Sequence, residues 1–323
     1  MTTDWLQEAL FEPGGKAAVP PRRLWGRILS IAEADAAALP RLLEWAQERV
    51  RCALLIGVTG APGAGKSTLI GKLARQMDSS GHRVGVLAID PSSDRTGGAV
   101  LGDRLRMEAG GGDDIFFRSM ATRGGRGGLA RATVICAQVL AGFGLDRIII
   151  ETTGTGQTDT AIAAVSDPVL LVTEPGQGDE IQAMKAGVME RADVIVVNKA
   201  DLPSTDHFCA ALDLAMSARA SEVPQILRTT STSGEGIAEL AGWIARRPVG
   251  PRSGFTSLSP EAATDYLTEL FRVRLRDGFD RTSDDAGSDP FDIVALTTRI
   301  DAVIDSRVIG RLTDLDLLEK EVT

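Results

Sequence analysis

The stretch Ala53-Leu-Leu-Ile-Gly-Val-Thr-Gly-Ala-Pro-Gly-Ala-Gly-Lys-Ser-Thr-Leu-Ile70 sets the frame for the chain. Its first half is a short apolar run ending in glycine, the pattern of a buried strand. Gly60 to Ser67 matches GxxxxGK[ST] without a gap, and an amphipathic helical pattern follows over 65–79. A strand, a glycine-rich turn and a helix in that order build a cradle for phosphate. Gly60, Ala61, Pro62, Gly63, Ala64 and Gly65 curl the backbone so that its N–H groups face phosphate oxygens, at a helix N-terminus that favours negative charge. In this pattern the Lys66 ammonium reaches the β- and γ-phosphates, the Ser67 hydroxyl ligates magnesium, and Thr68 completes the binding set. A chance glycine-rich turn would not need the lysine and the serine in this context.

Outward from the cradle, short apolar runs alternate with longer amphipathic ones. The runs 53–59, 84–90, 146–151, 168–173, 193–198 and 225–229 predict strands; the patterns near 65–79, 127–143, 179–191, 206–221 and 236–246 predict helices. Continuous Val/Ile/Leu strands separated by helices mean an α/β fold with a mostly parallel sheet covered on both faces. Residues 1–50 read as a helical arm and 51–250 as the nucleotide-binding domain. A Pro/Gly/Ser-rich linker at 248–260 leads to a helical region within 251–323.

Composition narrows the functional classes. The 323 residues are 43% hydrophobic and 24% charged, as in ordinary water-soluble domains, and no apolar run reaches membrane-spanning length. The net charge of −9 argues against a general nucleic-acid binder. Three distant cysteines, Cys52, Cys136 and Cys209, and two histidines give neither a disulfide framework nor a zinc site. The opening residues lack the order of a secretory signal, so a cytoplasmic location with no membrane attachment is expected.

A second motif names the nucleotide. Asn198-Lys199-Ala200-Asp201 closes the run 193–198, at the strand end where α/β sheets bind ligands, with the NKxD spacing that reads guanine. The Asp201 carboxylate can accept from the ring N–H and the exocyclic amine of guanine together, a donor pair that adenine lacks. The stem of Lys199 would lie along the base, and Ser231 is placed to contact the base edge. GTP or GDP is therefore the expected bound nucleotide. Acidic residues end the apolar strands between the two motifs: Asp90 and Glu151, with Asp103 in the intervening segment. A divalent cation on phosphates takes one or two such carboxylates, so each of Asp90, Asp103 and Glu151 is either a magnesium candidate beside Ser67 or an acid that caps a helix or solvates a loop.

In order along the chain, GVTGAPGAGKSTLI, LAIDPSSDRTGGAVLGDRLRM, RSMATRGGRGG, ETTGTGQTD, PGQGDEIQAMKAGVMERAD and VNKAD resemble the MeaB/ArgK family, which includes the human methylmalonic aciduria type A protein. The resemblance is close over 54–202. It implies a SIMIBI-class P-loop GTPase, a homodimer, that chaperones an adenosylcobalamin-dependent acyl-CoA mutase such as methylmalonyl-CoA mutase. It gives Ser67, Asp90, Asp103 and Glu151 the magnesium and switch roles, and makes Gln157 and the helix from Asp179 to Lys185 later switch elements. The chain departs from the family at Thr153 and Thr155, where apolar residues are expected, and along the arm and the last 70 residues.

Catalysis would be attack of water on the γ-phosphate, with Lys66, magnesium and backbone donors stabilising charge. Asp103 and Gln157 both remain candidates for orienting the water. Lys185 is either a solvated helix residue or a group brought in by a partner. Arg123 and Arg126 are either surface-loop residues or a cis arginine finger. The apolar spacing of Tyr266, Leu267, Leu270 and Phe271 fits a dimer interface and equally fits packing back on the nucleotide domain. A nickel or zinc metallochaperone GTPase would want a CxCC or His-rich segment, and a kinase would want an acceptor site and base; neither signature is present. A GTP-dependent scaffold with little turnover is the non-enzymatic alternative.

Overall fold

The computed structural model of the chain describes residues 18–34, 53–90, 115–121, 128–152, 166, 168–176, 191–217 and 224–247, with positions 6, 9–11, 42, 45, 46 and 49. All of these lie in the first of two compact units, Met1–Leu270. Asp103, Arg123, Arg126, Gln157 and Lys185 lie outside the described residues, as do positions 179–190 of the predicted helix 179–191, both predicted domain boundaries and the whole region beyond 247.

Seven strands form one parallel sheet: β1 (Leu54–Gly60), β2 (Val84–Asp90), β3 (Phe116–Ala121), β4 (Arg147–Glu151), β5 (Val169–Thr173), β6 (Val194–Val197) and β7 (Gln225–Arg228). Their order is β3-β2-β4-β1-β5-β6-β7. Helices α1 (Arg22–Ala34), α2 (Lys66–Ser79), α3 (Gly128–Gly142), α4 (Thr205–Ser217) and α5 (Ile237–Ala245) complete the described elements. Six strands coincide with the apolar runs. The seventh, β3, was not expected, because Arg118 and Ser119 interrupt its apolar residues. It tolerates them as an edge strand: Arg118 donates to Glu33 Oε1 at 2.5 Å, to Gly26 O at 2.9 Å and to Ser30 Oγ at 3.0 Å, all on α1.

The central strands β1, β4, β5 and β6 are buried along their whole length, so the sheet carries a core on each face. Alternation along β1 shows the division. Leu54, Ile56 and Val58 pack with Leu69, Ile70 and Leu73 of α2 and with Leu240 and Trp243 of α5. Leu55 points the other way, into a cluster with Ile28 and Leu29 of α1, Ile135 and Leu140 of α3, and Trp45. A third cluster sets Ile195 and Val197 against Phe208, Leu212 and Met216 of α4. Each buried Leu or Ile contributes roughly 1.5–3 kcal/mol. Cys136 belongs to the α1–α3 core, where burial pushes its thiol far up and keeps it protonated. No described helix is long and apolar enough to cross a membrane.

Candidate functional site

From β1 the strand order steps toward the β3 edge to reach β2, while from β5 it steps toward the β7 edge to reach β6. Ligands of such sheets bind in the crevice outside the carboxyl ends of the strands at this reversal. Gly60 pairs with Val172 there at φ 141°, and a Cβ on it would lie 1.9 Å from the Val172 carbonyl oxygen. Glycine alone lets β1 and β5 meet so closely. Gly65 caps α2 in the left-handed region, φ 85°, which turns the chain from the loop into the helix. Lys66 then opens α2, buried, with Nζ donating to Gly60 O at 2.8 Å and Ala61 O at 2.9 Å. The ammonium thus sits inside the curl of the loop. Ala61, Pro62 and Gly63 are exposed along the rim, and Ala64 is buried beneath them.

One residue further on, Ser67 Oγ donates to Glu151 Oε1 at 2.7 Å. Glu151 is the last residue of β4, in register with Val58 of β1 and Ala88 of β2. Two hard oxygen donors, a hydroxyl and a buried carboxylate, stand together beside the phosphate loop, a donor set that suits magnesium. The Asp90 backbone lies two residues past Ala88 along β2, about 7 Å farther toward the carboxyl edge. Thr68 lies in the first turn of α2, half-buried.

The ends of β6 and β7 form the other half of the crevice. Asn198, buried, donates from Nδ2 to Ala64 O at 2.8 Å. Its Oδ1 accepts from Ser231 Oγ at 2.7 Å, Ser231 N at 3.1 Å and Thr229 Oγ1 at 3.2 Å. A single amide therefore ties the phosphate loop to the loop after β7. Gly65 meets it too: a Cβ there would approach Nδ2 to 2.4 Å. Ser231 has spent its proton on Asn198, so its oxygen can offer a base only lone pairs. Lys199 has φ 55°, left-handed for a non-glycine residue, at a cost of about 1–3 kcal/mol. Backbone bonds fix this turn, Ala200 N to Thr229 O at 3.0 Å and Leu202 N to Lys199 O at 3.1 Å. Lys199 Nζ is ion-paired with Glu174, just past the end of β5. Asp201 stands exposed on the same turn.

A family model described as "Methylmalonyl Co-A mutase-associated GTPase MeaB" matches residues 26–249. The chain belongs to the MeaB family. This MeaB-family protein is a GTP hydrolase of P-loop type. A candidate GTPase of Pyrococcus abyssi is 43% identical over 226 residues, covering 68% of this chain and 70% of its own. The mitochondrial methylmalonic aciduria type A homolog of Mus musculus is 40% identical over 195 residues, 57% of this chain and 46% of its own. The solved structure of a LAO/AO transport system kinase superposes with a TM-score of 0.51 at 20% identity, covering 93% of this chain and 100% of that one, a likeness of fold.

Of the positions singled out in the MeaB-family sequence, the fold gathers Gly60 to Thr68, Glu151, Asn198, Lys199, Asp201 and Ser231 along one edge of the sheet. It brings the backbone of Asp90 to the same edge. Two residues in the site, Thr229 and Glu174, are not among the positions the sequence singles out. Thr229 enters the sequence analysis only as the end of the run 225–229, and Glu174 falls between the run 168–173 and the segment that begins at Pro175. Glu174 belongs to no motif; its acidity at the end of an apolar strand, like that of Asp90 and Glu151, was the available clue.

Proposed function

We propose that this chain binds magnesium–GTP and uses its hydrolysis to control the loading, protection or reactivation of an adenosylcobalamin-dependent acyl-CoA mutase. The observation that carries the nucleotide part is the Asn198 Nδ2 to Ala64 O bond of 2.8 Å. It joins the phosphate loop directly to the Asn198–Asp201 turn, so that both motifs border one crevice at the carboxyl edge of the sheet. Ser67 and Glu151 would hold the magnesium ion, with Asp90 and Asp103 as further acids from the adjoining segments. The ion supplies charge neutralisation on the β- and γ-phosphates. Lys66 would exchange its loop carbonyls for phosphate oxygens, and Asp201 would accept from the guanine edge.

In the reaction, water oxygen bonds to the γ-phosphorus while the bond from that phosphorus to the bridging oxygen breaks. GDP leaves with the electron pair, and the proton of the water passes to the phosphate product or solvent. Asp103 or Gln157 orients the water. The partner assignment rests on the family description and on the kinship to the methylmalonic aciduria type A protein. A homodimer in the cytoplasm, with residues 251–323 at the interface, is part of the same proposal and rests on the apolar spacing of Tyr266, Leu267, Leu270 and Phe271. Free GTPases turn over on the order of 10⁻⁴ to 10⁻² per second, and a partner adds about 10³ to 10⁵. Single-turnover hydrolysis with and without an adenosylcobalamin mutase from the same organism tests the proposal. Stimulation is expected. The absence of any stimulation or complex would remove the mutase from the reading, and equal affinity for GTP and ATP would remove guanine from it.

A further inference from the structure

Thr173 at the end of β5 is in register with Val197 at the end of β6, and Asn198 N donates to Thr173 O at 2.7 Å. Glu174 follows Thr173 and Lys199 follows Asn198, and their side chains meet as an ion pair. The lysine stem consequently runs from the end of β6 across to the end of β5, the strand that separates β6 from β1 and its phosphate loop. Its backbone end is fixed by the left-handed turn, and its tip is fixed by Glu174. The carboxylate of Asp201 lies two residues along the same turn, exposed.

We propose that Glu174 is a specificity-determining positioning residue for guanine, acting through Lys199. This rests on the guanine reading of Asn198 to Asp201 given above. The clamp has two physical consequences. It holds a flexible four-carbon stem in one rotamer, so that the ammonium does not swing back toward the Asp201 carboxylate before the nucleotide arrives. It also neutralises the Lys199 ammonium at the end of β5. Without Glu174 that ammonium is released, and the Asp201 carboxylate two residues away becomes the nearby anion for which it competes with the N–H donors of guanine. Adenine makes no use of that carboxylate, so its binding is insensitive to the competition.

The test is the affinity of the full-length protein for GDP and for ADP, measured by calorimetry for the wild type and for Glu174→Gln. GDP removes turnover from the comparison. The expected result is a GDP affinity about threefold to fivefold lower, the range for a partly exposed ion pair, with ADP affinity unmoved. The GDP:ADP ratio then falls by that factor, and Glu174→Asp recovers part of it. Lys199→Met added to Glu174→Gln should cost less than the product of the two separate losses. An unchanged ratio, or equal losses for GDP and ADP, would overturn the proposal, since a merely structural residue moves both nucleotides together. A wild type that binds GDP and ADP alike would instead defeat the guanine reading beneath it.

Discussion

At the ends of β6 and β7, Asn198 alone engages Ala64, Thr229 and Ser231 through four hydrogen bonds, and Lys199 is pinned at both backbone and tip. At the ends of β1 and β4, the contacts are of another kind. Lys66 donates to two carbonyls of its own loop, and Ser67 to Glu151. Bonds of the first kind join protein to protein and have no reason to change when a nucleotide enters. Bonds of the second kind involve groups that phosphate oxygens and a metal ion would take over. One half of the site is thus a fixed frame, and the other is a set of exchangeable contacts. Damage to the frame should be visible in folding stability and base choice, and damage to the exchangeable half in turnover and metal dependence.

The sharpest break is Lys66→Ala. Removing the ammonium should lower turnover about 10²- to 10³-fold and weaken GTP more than GDP, as for loss of a key transition-state donor. Single-turnover hydrolysis and GTP and GDP titrations measure it, and unchanged turnover would make the loop purely structural. Asn198→Ala comes next, on the frame side. It leaves Ala64 O and the Ser231 donors buried without their partner, for a loss of about 2–3 kcal/mol in chemical unfolding even without nucleotide. A loss seen only with nucleotide bound would erase the distinction between the halves. Glu151→Gln should raise the magnesium concentration for half-maximal turnover by about 10- to 100-fold while unfolding shifts little. Asp201→Asn, the mildest, should weaken GTP at least about tenfold and improve tolerance of xanthine nucleotides. Equal GTP binding in that variant would move base reading elsewhere.

What the sequence disclosed follows the reach of each interaction. The Gly60–Ser67 loop and Asn198–Asp201 were legible because each motif is contiguous and sits at a strand end, where local pattern and tertiary position agree. The parallel α/β sheet was legible because strands buried on both faces leave unbroken runs such as Arg147–Glu151. Edge strand β3 was not, since Arg118 finds its partners on α1, some 85 to 92 positions earlier. The bridging role of Asn198 was hidden for the same reason: its donor reaches Ala64 across 134 positions. The Glu174–Lys199 pair, at 25 positions, depends on β5 and β6 being neighbours, which no local spacing states.

Trp45 packs, fully buried, against Gly142 of α3, where a Cβ would come within 2.8 Å of the indole, and its Nε1 donates to Ala18 O at 3.0 Å. Phe143 stacks on Trp25 of α1 with ring centroids 4.6 Å apart. For anyone building chimeras, the consequence is that the arm is not a detachable cassette. A hybrid that takes residues 18–49 from a relative must also bring the matching residues at 142 and 143, or it will misfold before any exchange of partner can be observed. The natural crossover point therefore lies past α3, within the nucleotide domain itself, rather than at the arm's end.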